Sequence, residues 1–150
     1  MEITAELVKE LRDRTGISVA ECKKALVASD GDMEKALAIL SEKSAASAAK
    51  KADRVLGAGT VAAYVHSTAQ VGAMVVLSSE TDFVSKNEEF VALARDIAMH
   101  AAAMKPETTE ELLAQQFIKD PSKTIKDLIA GATQKFGERV ELSKFSCFTV

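Results

Sequence analysis

Two cysteines, Cys22 and Cys147, are all the thiol this sequence has, and they stand far apart with no second Cys or His at ligand spacing. Neither a zinc site nor a disulfide framework can be read from them. Charge of one sign is also scarce: the formal net charge is -3, with ten basic and ten acidic residues in positions 1 to 54 and nine and twelve in positions 55 to 150. A chain that grips RNA more often carries a basic stripe, so the balance points to a protein partner and away from direct nucleic-acid binding. Long apolar runs are missing, and the first residues alternate charge with hydrophobe instead of forming a signal peptide. The expected compartment is therefore the cytoplasm, with no membrane contact. Absent too are a nucleophile elbow, a phosphate-binding glycine loop, and a helix bearing His or carboxylates at metal-ligand spacing. No cofactor and no metal are expected.

What is present suffices for one sizeable core and a small satellite: 150 residues, 47% of them hydrophobic. Leu7, Val8 and Leu11 give a first helix one apolar face, with Thr4 as N-cap, Ile3 stapled to Val8, and a stop at Thr15-Gly16. Ser18 and Glu21 form a capping box for a second helix carrying Cys22, Ala25 and Leu26 inward, closed by Gly31. Asp32 caps a third, with Met33, Ala36, Leu37 and Leu40 at helical spacing. Residues 1–44 thus read as a three-helix module. The Ala-, Ser- and Lys-rich stretch that follows has no apolar stripe, so it extends the third helix into a linker, residues 45–56, on which the module can move. Lys50-Lys51 is read as a solvated face.

Residues 57–150 read as an α+β core. Gly57 and Gly59 mark a change of period: Thr60 to His66 alternates as a strand, and Ser67 to Gln70 turns it into a second strand, Val71 to Ser79. Phe90, Leu93, Ala94, Ile97, Ala98, Ala101 and Met104 make a helical stripe ended by Pro106. Thr108 and Glu111 cap a helix expected to run through Phe117. Thr124 and Asp127 open another, with Ile125, Leu128, Ile129 and Ala132 inward and Gly137 as terminator. Val140 to Val150 is a third strand. Strict alternation places Val140 and Leu142 on one face and Phe145 and Cys147 on the other, so its end demands cover on both sides.

Between the second strand and the long helical stripe lies Thr81-Asp82-Phe83-Val84-Ser85-Lys86-Asn87-Glu88-Glu89-Phe90. Ser85 and Glu88 have capping-box spacing, which predicts a helix from Lys86 and leaves Asp82-Phe83 on the turn before it. Leu77 and Val84 anchor that turn from both sides. Phe83 then either tucks back into the core or points at a partner, and composition leaves both open.

Thr81-Asp82-Phe83-Val84 with Asn87 and Phe90 resembles the signature of the bacterial translation elongation factor Ts family. Ile3-Thr4-Ala5, Val8 to Arg12, Arg14-Thr15-Gly16, Cys22 to Leu26 and Gly31-Asp32 with Ala36 resemble that family's amino-terminal module. Phe117 to Thr124 is similar to its closing helical segment, and Gly137-Glu138 with Phe145 to its last strand. The resemblance implies a ubiquitin-associated-like fold for the module and a three-stranded antiparallel sheet packed with helices for the core. It implies a guanine nucleotide exchange factor for elongation factor Tu, acting without covalent chemistry. Phe83 would be the wedge near the partner's Mg²⁺ and phosphate site, Asp82 the polar arm beside it, and Thr81 the residue that fixes the turn, with Val84 completing the signature. Arg12, Val19, Ala20 and Lys23 fall where the family grips the partner's nucleotide-binding domain, and His100 matches a family histidine counted as a partner contact. One departure is that the family's Gly-Met-Met-like stretch is here Ser18-Val19-Ala20, with smaller side chains. Length for a single core copy implies, by resemblance to short members, a twofold homodimer with Phe145 and Cys147 near the axis, or else Cys147 as a buried free thiol.

Two other classes fit parts of the sequence. An enzyme could use Asp82 and Glu80 with His66 or His100 as bases, and a ubiquitin-type adaptor could use the three-helix module alone. The first would need turnover without a partner, the second binding by residues 1–44.

Overall fold

A computed structural model describes residues 2–150. Three helices open the chain, α1 (Ala5–Thr15), α2 (Val19–Ala28) and α3 (Met33–Lys50). Each begins where a short polar side chain accepts a hydrogen bond from the first turn: Thr4 from Leu7 N–H, Ser18 from Glu21 N–H, and Asp32 from Lys35 N–H. That bond and its partner Lys35 hold the Asp32 carboxyl below the ordinary carboxylate range. Ser18 caps, but Glu21 does not reach back to complete a box. Its carboxylate instead takes Lys24 at 2.9 Å and Lys43 at 3.0 Å, bonds that lower its pKa. Val8, Leu11, Ile17, Cys22, Ala25, Leu26, Ala36 and Leu40 bury one another as a separate small core.

The second half of α3 has a use the sequence hid. Ser44 is buried and hydrogen-bonded to Gln134 of α7 (Ile125–Phe136), so this Ala-rich stretch lies along another helix. Small side chains let two helix backbones approach closely. Lys123 Nζ adds a bond to Arg14 carbonyl oxygen at 2.9 Å, a second tie between residues 1–44 and the rest.

The larger core is α+β. Strands β1 (Ala58–Val65) and β2 (Val71–Ser79) form an antiparallel hairpin, and β5 (Glu141–Thr149) pairs antiparallel on the far side of β2. Glycine at 59 suits a close approach, since a Cβ there would stand 3.0 Å from Leu77 carbonyl oxygen across the ladder and would push the strands slightly apart. Helix α5 (Glu88–Met104) lies over the β1–β2 face, burying Phe90, Ala94, Ile97, Ala98 and Ala101 against Ala62, Ala73, Val75 and Leu77. Capping by Thr124 and Asp127 is reciprocal at the start of α7, as expected, and Gly137 ends it in the left-handed region at φ 69°.

Three further expectations about the fold are corrected. The segment from Thr108 is only a short helix, α6 (Thr109–Ala114). The residues after it, matched above to a helical segment, instead form a two-stranded hairpin, β3 (Gln116–Phe117) and β4 (Asp120–Thr124). Pro121 has no N–H for a helix, and Ser122 N–H is taken by the Asp120 side chain at 3.2 Å, which favours a turn.

Strict alternation also fails in β5. Val76 faces Lys144 but Leu77 faces Leu142, so Ser143 is an extra residue, a β-bulge. The bulge reverses the phase, and Leu142, Phe145 and Cys147 share the core side opposite Leu77, Val75 and Ala73. Cys147 Sγ donates to Ala101 carbonyl oxygen at 3.5 Å, and burial pushes its pKa up. The opposite face carries Val61, Val65, Met74 and Phe148, which are 61%, 69%, 49% and 71% exposed.

The third correction concerns His100, expected off the apolar stripe and fully buried here. Helix α5 is covered on two sides, by the sheet and by the β3–β4 hairpin, and the imidazole joins it to the latter. Nδ1 accepts from Ile118 N–H at 3.3 Å, which fixes the proton on Nε2, and Nε2 donates to Gln115 Oε1 at 2.9 Å. Burial lowers its pKa. The unfolded chain, with a histidine pKa of about 6.5, then binds more protons than the folded one, so this contribution to stability is complete above that pH and falls as pH drops below it. Urea unfolding at pH 7.5 and 5.5 should show lower stability at 5.5, and His100→Gln should flatten the difference. An unchanged slope in the variant would remove His100 as its source.

Candidate functional site

Strand β2 delivers the chain to the molecular surface at Glu80 and Thr81, and the next residues form a four-residue helix, α4 (Asp82–Ser85), before α5. The predicted start at Lys86 is therefore displaced. Ser85 is buried and donates to Asp82 carbonyl oxygen at 3.3 Å, so it is unavailable as a cap, and Asn87 caps α5 by accepting from Glu89 N–H at 2.9 Å. A single turn of helix does not stabilise itself. Its position comes from its neighbours: Val84 sinks into the core, and Thr60 Oγ1 donates to Ser85 carbonyl oxygen at 2.6 Å.

With Val84 and Ser85 turned inward, a helical turn throws Phe83 outward, and its ring is 91% exposed. Of the two placements left open by composition, the chain adopts the outward one. Asp82, Lys86 and Asn87 surround the ring in an open depression, giving an apolar tip with an acid, a base and an amide beside it. Single exposed apolar residues are common. An aromatic on a short helix whose adjoining residues are locked into the core is less so, and it can enter another protein's surface without unfolding its own.

Sequence reasoning missed the other support of this turn. Thr81 N–H donates to Glu138 Oε1 at 3.0 Å and its hydroxyl donates to Glu138 Oε2 at 2.7 Å. Beside this pair, Arg139 N–H donates to Glu80 Oε1 at 2.8 Å. The available signal was an acid directly after the helix-ending Gly137.

The second set of expected residues lies elsewhere. Arg12 is exposed on α1, and Val19, Ala20 and Lys23 are exposed on α2, so all four can meet another molecule. His100 is not among them, because both ring nitrogens are taken internally. Phe145 and Cys147 face α5 and the core side of the sheet, since the bulge at Ser143 turns them there. Among the described residues there is no cluster of three or more His, Cys, Asp or Glu arranged for a metal ion, and no helix long and apolar enough to cross a membrane.

Comparison with known proteins adds the family. The family model described as Elongation factor TS matches residues 80–150, starting at the acid before Thr81. Elongation factor Ts of Acetivibrio thermocellus is 43% identical, over 92% of this chain and 71% of its own. That of Heliobacterium modesticaldum is 38% identical over 97% of this chain and 89% of its own. That of Clostridium acetobutylicum is 48% identical over 98% of this chain, which spans 48% of the longer relative. With the exposed Phe83 turn inside the matched region and near-complete coverage by these relatives, the chain belongs to the elongation factor Ts family of bacterial translation factors.

Proposed function

We propose that this chain is the guanine nucleotide exchange factor for elongation factor Tu, acting in the cytoplasm during translation elongation. The observation that carries the reading is Phe83, an aromatic held 91% exposed by neighbours that are themselves buried. Exchange needs no covalent step. A factor that binds the nucleotide-free partner more tightly than the GDP-bound one must weaken GDP by the same factor. Mg²⁺ bridging the phosphates demands near-ideal octahedral geometry, so a small displacement of its surroundings is costly to the bound nucleotide. Phe83 acts as the wedge at that site, Asp82 as the polar arm, and Thr81 and Val84 as the residues that fix the turn. Arg12, Val19, Ala20 and Lys23, on a module we read as ubiquitin-associated-like, dock the partner's nucleotide-binding domain. Residues 45–56 connect that module to the core. Stopped-flow release of a fluorescent GDP from elongation factor Tu, with and without this chain, is expected to show acceleration. Release at the spontaneous rate would overturn the proposal.

We also read the chain as a homodimer, joined through the outer sheet face. Val61, Val65, Met74 and Phe148 form one apolar patch there, and a twofold axis would let the same patch cover itself. Phe148→Glu, at an exposed position that costs the fold little, is expected to halve the mass seen in sedimentation equilibrium. A monomeric parent chain, or a variant of unchanged mass, would exclude this interface.

A further inference from the structure

The side chain of Phe83 is 91% exposed, so its own packing holds it little and the direction in which it points is set by the backbone of its turn. On the far side of Phe83 this is done by Val84 and Ser85, buried against the core. On the near side the obvious device is missing. Thr81 occupies the N-cap position of α4 with extended backbone, φ -126° and ψ 154°, yet its hydroxyl makes no capping bond. A threonine in that position ordinarily accepts from an N–H of the first turn. Here the hydroxyl donates away from the helix, to Glu138, and the Thr81 N–H does the same. Both hydrogen-bond donors of the residue immediately before Asp82 are thus taken by one carboxylate 57 residues away.

Glu138 is itself fixed. Gly137, left-handed at φ 69°, ends α7 and reverses the chain there. Arg139 N–H is bonded to Glu80, and Arg139 Nη1 donates to Arg54 carbonyl oxygen at 2.7 Å. The two segments therefore cross-latch: the side chain of Glu138 takes the main chain of Thr81, and the side chain of Glu80 takes the main chain of Arg139. Two hydrogen bonds to one ionised carboxylate restrain both translation and rotation of the residue they hold. We propose that Glu138 is a positioning residue for Phe83, fixing the turn so that the Cα–Cβ bond of Phe83 points outward in one direction before any partner arrives. Its part in exchange rests on the function proposed above; its part in ordering the turn does not.

Two measurements separate those statements. In the free chain, ¹⁵N relaxation and amide hydrogen exchange should show residues 81–83 ordered. In Glu138→Ala, Thr81 N–H should lose protection and the order parameters of Asp82 and Phe83 should fall below about 0.6, while Leu77 and Phe90 keep about 0.85. In the exchange assay, Glu138→Ala should lower the limiting rate about tenfold, the rate equivalent of one hydrogen bond to a charged group, with a smaller change in the concentration giving half that rate. Thr81→Val should lower it as well, and the double variant should be no worse than Glu138→Ala alone. Glu138→Gln, whose amide oxygen still accepts from Thr81 N–H, should recover most of the order and of the rate. Unchanged order in Glu138→Ala, or losses in the double variant that multiply, would overturn the assignment. If Phe83→Ala slows exchange and Glu138→Ala neither loosens the turn nor slows exchange, the positioning role falls and the proposed function stands. If the turn loosens as expected but neither variant alters exchange, ordering by Glu138 stands and the exchange reading falls.

Discussion

Phe83→Ala is expected to reduce the acceleration of GDP release from elongation factor Tu by about ten- to a hundredfold while leaving the chain's own stability within about 0.5 kcal/mol of the parent. The two halves of that expectation have one origin. With 91% of Phe83 exposed, its removal takes almost nothing from the folded chain. If the ring is buried at the partner when nucleotide leaves, the same removal forfeits about 1.5–3 kcal/mol of apolar burial at that step. The decisive measurement is the limiting release rate at saturating factor, alongside a urea midpoint for the variant. Normal acceleration by a folded Phe83→Ala chain would take Phe83 out of the mechanism.

Phe90→Ala, seven residues on, should do the reverse. Phe90 is fully buried in the large core, edge-on to Phe136 of α7 at 6.0 Å between ring centroids. Truncating a phenylalanine in such a place removes its transfer free energy and leaves a cavity, together about 3–5 kcal/mol. Urea unfolding should show that loss as a lower midpoint. Exchange measured below that midpoint should be affected far less than by Phe83→Ala, since α4 is held by Val84, Thr60 and Glu138. A loss under 1 kcal/mol would mean that the core around Phe90 closes over the gap. The pair tests one idea twice: what an aromatic does here is set by which way the turn before α5 throws it.

Much of the fold was legible because the local signals and the tertiary structure agree. Thr4, Ser18, Asp32 and Thr124 all cap the helices their positions announce, and the β1–β2 hairpin follows from alternation and a four-residue turn. The signature stretch was legible as a surface turn, but its helix was not. Ser85-x-x-Glu88 imitates a capping box, and only burial of Ser85 against the core decides for Asn87 instead. His100 was misplaced because a one-sided helical stripe was assumed, whereas α5 is covered on two sides. The β3–β4 hairpin is too short, and too dependent on the bond from Ile118 to His100, to leave a periodic trace. Glu138 stood out only as an acid after Gly137, and its link to the turn was hidden because nothing in its local sequence refers to Thr81.

The extra residue at Ser143 gives the last strand one residue that it could lose without losing its pattern. Leu142 lies before the bulge and Phe145 and Cys147 after it, so with Ser143 removed plain alternation would still carry all three to the core, Leu142 opposite Leu77 and Phe145 opposite Val75. Loss of one residue beyond the bulge, between Phe145 and Cys147, would instead turn the carboxyl-terminal stretch inside out, bringing Phe148 to the hydrophobic interior in place of Cys147. Changes of length along this strand should therefore be tolerated at Ser143 and not beyond it.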